Sequence, residues 1–333
     1  MSATRSLRLA SRPTGRVRPE NFEIREEPLP EPGDGEFRVK LEYVSLDPAM
    51  RGWLSAARSY VPPVEIGEVM RAFSCGTVEA SNNPDFPVGQ AVAGRFGVRH
   101  HAISDGTGVL KVDTNLAPLP RWVGGLGMPG WTAYFGLLEV GRPKEGETVV
   151  VSAASGAVGS LVGQIAKLKG CRVVGIAGGP RKCAYVTDEL GFDACVDYKT
   201  GSLADDLRTA CPDGIDVYFE NVGGEILDIV LDQMNDFGRI PFCGMISAMN
   251  ATEPQPGPYN FRKILTSRLT VRGFIVFDFA DRIPEALDAL GRWHGEGRLK
   301  MREDIREGGL EAFADTLNEL YSGGNNGKLV LAL

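Results

Sequence analysis

Residues Val149–Gly170 read VVVSAASGAVGSLVGQIAKLKG. A β-branched apolar run meets a side-chain-poor junction, and an amphipathic stretch follows. The run predicts a strand over Thr148–Ala154, and the stretch predicts a helix starting near Ala157. Ala154, Gly156 and Gly159 fill the places of a GxGxxG-like pattern, with alanine in the first. Such a turn lets backbone approach a pyrophosphate without interference from Cβ atoms. The helix behind it offers N–H groups and the positive end of its dipole. The pattern alone is weak, but here it follows a strand, opens a helix and heads a βαβ unit. Gly156, Ala157, Val158 and Gly159 are therefore candidates for dinucleotide binding. The alternative is a tight strand–helix turn without a ligand.

Working outward, the sequence from about Gly124 alternates apolar runs with amphipathic segments, such as CRVVGIAG, RKCAYVTDELG, ACVDYK, SLADDLRTAC, GIDVYFENV and GEILDIVLDQM. That alternation predicts an α/β unit, a doubly wound parallel sheet with helices on both faces. Up to about Leu119, short β-like runs broken by Gly and Pro predict a small β-barrel or a similar β-rich unit. IPEALDALGRWHGEGRL and GLEAFADTLNELYSG read as helices, and the last piece, GKLVLAL, as a strand returning to the first unit. The expected division is 1–123, completed by about 298–333, around 124–297.

The second strand, CRVVGIAG, decides which dinucleotide. An NAD site places Asp or Glu at its end, on the ribose hydroxyls. Here GPRKC follows instead, with Gly178 and Gly179 leaving room and Arg181 and Lys182 bringing positive charge. A carboxylate repels a 2′-phosphate and these cations attract it, so NADP is favoured. Tyr198, after the third strand, is a candidate for stacking or bonding near the same phosphate, or a rim tyrosine. The fourth strand ends at Asn221 and Gly223, the fifth at PFCGMIS with Gly244, and the sixth at Gly273 and Phe274.

Composition narrows the field. The 36 Lys and Arg against 43 Asp and Glu give a net charge of −7, which argues against nucleic acid as a partner. No 18-residue apolar run is present, so no membrane span is expected. The basic start, MSATRSLRLASRPTGR, lacks the apolar core of a secretory signal; a mitochondrial presequence is the lesser alternative. The six cysteines contain no CxxC pair, and there are only three histidines. Free thiols in a reducing cytoplasm and no metal are expected. His100 and His101 read as solvated polar residues.

AASGAVGSLVGQIAKLKGCRVVGIAG, YFENVGGE, CGMIS and GFIVFDF, with LDPAMRGWLS, SYVPPVEIGEVM and GGNNGK, resemble the zinc-independent medium-chain dehydrogenase/reductases. The similar branch is that of leukotriene 12-hydroxydehydrogenase/prostaglandin reductase and curcumin reductase. The resemblance implies a GroES-like β-barrel catalytic domain, split between the chain ends, and a Rossmann domain with a parallel six-stranded sheet. It implies NADPH-dependent reduction of the C=C bond of α,β-unsaturated ketones or aldehydes, without a metal, by a homodimer. By the same resemblance, Gly156–Gly159 face the pyrophosphate, and Lys182 and Tyr198 hold the 2′-phosphate. Asn221, Cys243, Gly244, Met245, Ile246 and Ser247 line the cofactor, as does Met249 at the end of that run. Phe274, Ile275, Val276 and Phe277 flank nicotinamide and substrate, and Asn325 reaches the cofactor from the C-terminal segment.

Two departures stand out. Met249 occupies a place where the branch often has tyrosine, and RFGVRHHAI replaces an aromatic run. Tyr60 is the candidate active-site donor, or an exposed loop tyrosine. Arg51 reads as a brace for its loop or as a group that positions an anionic substrate. A quinone reductase on the same fold, and an NADPH-binding sensor or scaffold without turnover, are the competing readings.

Overall fold

The computed structural model describes residues 3–333. The chain divides into two units, one formed by residues up to Gly124 with Glu303–Leu333, the other by Gly125–Arg302.

The first unit begins with β1 (Ala3–Leu9) and β2 (Phe22–Pro28), an antiparallel pair. β3 (Phe37–Ser45) follows, then α1 (Ala49–Trp53), β4 (Ser74–Ser81), β5 (Ala91–Gly94), β6 (His101–Ser104) and β7 (Leu110–Lys111). Short strands broken by turns suit a sheet that curls, because each break relieves the twist. β3 and β4 shift register twice, and β3 also pairs with β6.

In the second unit the apolar run is β8 (Thr148–Ser152), followed by α2 (Gly159–Leu168). The strand thus ends two residues earlier than expected, and the helix starts two later. Ala153 takes a left-handed φ of 50°, which turns the chain out of the sheet. The unit continues with β9 (Arg172–Ala177), α3 (Pro180–Ala184), β10 (Ala194–Asp197), α4 (Leu203–Ala210), β11 (Ile215–Phe219), α5 (Gly224–Gln233), β12 (Met234–Phe242), β13 (Thr270–Gly273) and α6 (Ile283–Gly295). The six strands are parallel, in the order β10-β9-β8-β11-β12-β13. Val149, Val150 and Val151 are all fully buried, as expected of a central strand covered on both faces. Val150, Val174, Val196 and Tyr218 pack against Leu203, Leu207, Ile226 and Val230 of α4 and α5. All four residues of β13 are exposed, so this edge is uncovered within the chain.

The chain then returns to the first unit. β14 (Glu303–Arg306) pairs with β15 (Lys328–Ala332), and β15 pairs with β3. Between them, α7 (Phe313–Ser322) places Phe313 and Leu317 in one core with Leu7, Leu9, Val44 and Leu46. The fold is therefore α/β, a parallel six-stranded Rossmann-like sheet joined to a second β-rich unit. Among the described residues no helix is long and apolar enough to cross a membrane.

Candidate functional site

Because the six strands are parallel, their carboxyl ends share one edge of the sheet. The segments just beyond those ends hold Gly156–Gly159, Lys182, Tyr198, Asn221, Cys243–Met249 and Phe274–Phe277. Ligands of doubly wound sheets bind at this edge, where the strand order reverses. Here the reversal lies between β8 and β11.

The turn after β8 is built from backbone. The Ala153 carbonyl accepts a bond from Gly156 N at 2.9 Å. A Cβ on Gly159 would stand 2.4 Å from that oxygen and 2.9 Å from its carbon. Both are backbone atoms and cannot step aside, so glycine is required. No side chain caps the N-terminus of α2. A bare turn leading into an uncapped ten-residue helix suits the pyrophosphate of a dinucleotide.

At the end of β9, a Cβ on Gly178 would lie 2.8 Å from the Tyr198 ring and 2.9 Å from its hydroxyl. The structure thus brings Tyr198 onto the Gly178–Gly179 turn, with Lys182 a few residues on in α3. The reading of the second strand missed a carboxylate that arrives from the third. Asp197 Oδ1 accepts from Gly179 N at 2.8 Å and from Lys199 N at 3.0 Å, holding this turn.

Beyond β11, Asn221 is tied to the end of β8. Its backbone N–H donates to Ser152 Oγ, and its side-chain Nδ2 to the Ser152 carbonyl, both at 2.8 Å. The run after β12 is laced to the same turn. Cys243 N and Gly244 N donate to the Glu220 carbonyl, Ile246 N to that of Asn221, and Ser247 N to that of Val222. Burial pushes the Cys243 thiol up to about 12, so it is neutral at physiological pH. Met249 is half-buried, just past the turn Ile246–Ala248.

After β13 the structure modifies the expectation. The Phe274 ring is buried, edge-on to Phe219 with centroids 6.1 Å apart, and a Cβ on Gly136 would lie 2.3 Å from it. Its side chain belongs to the core, and only its backbone is left to face the sheet edge. Val276 is buried too, whereas Ile275 and Phe277 are partly exposed.

The other candidates lie in the first unit. Arg51 is buried, with Nε donating to the Gly15 carbonyl and Nη2 to that of Pro13. Those two bonds brace a loop, which supports the first of the two readings of Arg51. Tyr60 is half exposed, and its hydroxyl accepts from Trp53 Nε1 at 3.4 Å. Its own proton stays available for another acceptor. Asn325 Nδ2 donates to the Gly327 carbonyl just before β15. Ser152 and Glu220 were missed, because each reads as an interior strand residue until the sheet order sets β8 beside β11.

Such an edge defines a dinucleotide-binding α/β protein, and comparison with known proteins narrows the class. Residues 5–112 match the N-terminal domain of oxidoreductases, and residues 157–292 match the family described as zinc-binding dehydrogenase. The chain is 47% identical over 329 residues to the NADPH-dependent curcumin reductase of Escherichia coli (strain K12), covering 97% of this chain and 95% of the relative. It is 43% identical over 316 residues to prostaglandin reductase 1 of Rattus norvegicus, covering 93% of each. A crystal structure of CurA from Vibrio vulnificus in complex with NADPH superposes with a TM-score of 0.93 at 45% identity, covering 98% of each chain. The chain belongs to the zinc-independent medium-chain dehydrogenase/reductases, in the branch of the curcumin and prostaglandin reductases. The zinc in the family description finds no fit here: among the described residues no three His, Cys, Asp or Glu side chains are grouped to hold a metal ion.

Proposed function

We propose that this protein is an NADPH-dependent reductase of the C=C bond in α,β-unsaturated ketones and aldehydes. The observation that carries the reading is the bare Ala153–Gly159 turn, with Lys182 and Tyr198 at neighbouring strand ends, in a chain 47% identical to an NADPH-dependent curcumin reductase. NADPH, when bound, supplies the hydride that reaches the β-carbon of the substrate. The chain's own residues bind and orient. Gly156–Gly159 take the pyrophosphate, Lys182 and Tyr198 the 2′-phosphate, and Asn221 with the backbone of Cys243–Ser247 the nicotinamide half. Ile275 and Phe277, with Met249, shape the substrate side. Asn325 is assigned to the cofactor from the C-terminal segment. Charge that gathers on the carbonyl oxygen needs a donor, and Tyr60 has an uncommitted proton for that role. The exposed edge strand β13 (Thr270–Gly273) supports pairing of two copies into a homodimer; a monomer mass by light scattering would remove that pairing.

Incubation with NADPH and a simple enone should give the saturated ketone, and Tyr60→Phe should lower kcat about tenfold or more with NADPH affinity unchanged. Hydroquinone from a quinone, with the enone untouched, would favour a quinone reductase. Tight NADPH binding without oxidation across an enone panel would favour a sensor. Lys182→Ala should raise the Kd for NADPH about 10–100-fold, since charge-assisted bonds contribute about 1.5–3 kcal/mol. NADH affinity should change little. Equal losses for both would remove Lys182 from the 2′-phosphate.

A further inference from the structure

Glu220 is a fully buried carboxyl at the end of β11 that the assignments above leave without a role. Its Oε1 accepts from Val222 N at 2.5 Å and Gly223 N at 3.0 Å, and shares the Ser152 hydroxyl proton, at 3.1 Å, with the Phe219 carbonyl at 3.2 Å. The same Ser152 oxygen accepts from Asn221 N at 2.8 Å. One serine hydroxyl therefore joins β8, the Glu220 carboxyl and the Asn221 backbone. The Asn221 amide nitrogen is held by the Ser152 carbonyl. Turning that amide over would set its oxygen against another oxygen, so the Ser152 carbonyl dictates its orientation. Asn221 Oδ1 is left as an acceptor at the sheet edge.

We propose that Glu220 and the Ser152 hydroxyl are a positioning pair: they fix the Asn221 backbone where its amide meets the Ser152 carbonyl and presents Oδ1 as a hydrogen-bond acceptor for donor groups on the nicotinamide half of the dinucleotide. The inference rests on the NADPH reading and goes beyond it by naming the residues that set the polarity of the site. A nicotinamide carboxamide N–H and a ribose hydroxyl are the donors of the right chemistry.

The protonation state fits this role. Glu220 Oε2 and the Tyr218 hydroxyl are both buried without a hydrogen-bond partner. Burial raises the Glu220 pKa, opposed by bonds from Gly223, Val222 and Ser152. The groups that face it are the Tyr218 hydroxyl on β11, the Ser152 hydroxyl on β8 and the Cys243 thiol beyond β12; none is a cation. The latch works through Oε1 as an acceptor, a property glutamine keeps. An acid whose folded pKa is raised contributes stability below its ordinary value of 4.5 and loses it as pH rises through the folded value. Glu220→Gln, neutral throughout, should therefore gain thermal stability relative to wild type as pH is raised from about 4.5 to 9.

The test uses wild type, Ser152→Ala, Glu220→Gln and Glu220→Ala, titrated calorimetrically with NADPH and, separately, with adenosine 2′,5′-bisphosphate. Ser152→Ala and Glu220→Ala should raise the Kd for NADPH about 5–10-fold, the size of one lost hydrogen bond. Both should bind adenosine 2′,5′-bisphosphate as wild type does, because the effect is local to Asn221. Glu220→Gln should stay within about twofold of wild type for NADPH. A folded Ser152→Ala with wild-type NADPH affinity overturns the proposal, as does equal weakening of both ligands. Glu220→Gln as weak as Glu220→Ala overturns it too, by making charge the operative property. If Glu220→Ala fails to fold, Ser152→Ala decides alone. Wild type that binds no NADPH overturns the functional reading itself, a separate result.

Discussion

Gly159→Val is expected to raise the Kd for NADPH by about 100-fold or more, as read by calorimetry. The new Cβ would fall 2.4 Å from the Ala153 carbonyl oxygen and 3.0 Å from the Ala154 Cα, and the valine methyls would add to the collision. Relief requires backbone movement, and Ala153 already sits at a strained φ of 50°. Withdrawal of the helix would carry the N–H groups of its first turn away from the pyrophosphate. Overpacking of this kind also costs about 1–3 kcal/mol of stability. A folded Gly159→Val protein with affinity within tenfold of wild type would show that the pyrophosphate lies elsewhere.

Lys328→Met is expected to lower the unfolding free energy by about 3–5 kcal/mol. Lys328 Nζ donates to Asp47 Oδ1 at 2.8 Å and to the Leu46 carbonyl at 2.6 Å. The lysine side chain is 4% exposed and the aspartate 6%. Ser45 Oγ donates to the other carboxylate oxygen at 2.5 Å. Burial lowers the Lys328 pKa, and Asp47 opposes that shift. Removing the ammonium strands a carboxylate where water cannot reach it. The double variant Asp47→Leu/Lys328→Met should recover most of the loss, because neither partner is then left unpaired. Urea denaturation of wild type and the two variants gives the comparison. A single-variant loss under about 1 kcal/mol would mean that water reaches Asp47 after all.

The turn at Gly156–Gly159 was readable because three kinds of local information agree there: a β-branched run, glycine spacing and an amphipathic follow-on. Its boundaries were less readable, since the left-handed bend at Ala153 falls on a residue with no preference for it. Placement of Lys182, Tyr198 and Asn221 at one sheet edge follows from strand–helix alternation. Asp197, Ser152 and Glu220 escaped notice for a different reason. Each acts on a residue of another strand, and only the order β10-β9-β8-β11 makes them neighbours. Arg51 and Phe274 show the converse. Their types suggest an anion site and an aromatic wall, but in the fold the first donates to carbonyls of Pro13 and Gly15 and the second packs on Gly136 and Phe219.

The pairing of β15 with β3 has a consequence for the order of events during synthesis. On the ribosome, Asp47 emerges some 280 residues before Lys328. Leu7, Leu9 and Val44 likewise wait for Phe313 and Leu317. The strands of the central unit, by contrast, lie within one uninterrupted stretch. That stretch can mature while the nascent chain is still tethered, whereas the flanking portion stays open until β15 has emerged. Truncation near the C-terminus should therefore leave a folded nucleotide-binding unit carrying an unfinished, protease-sensitive N-terminal arm.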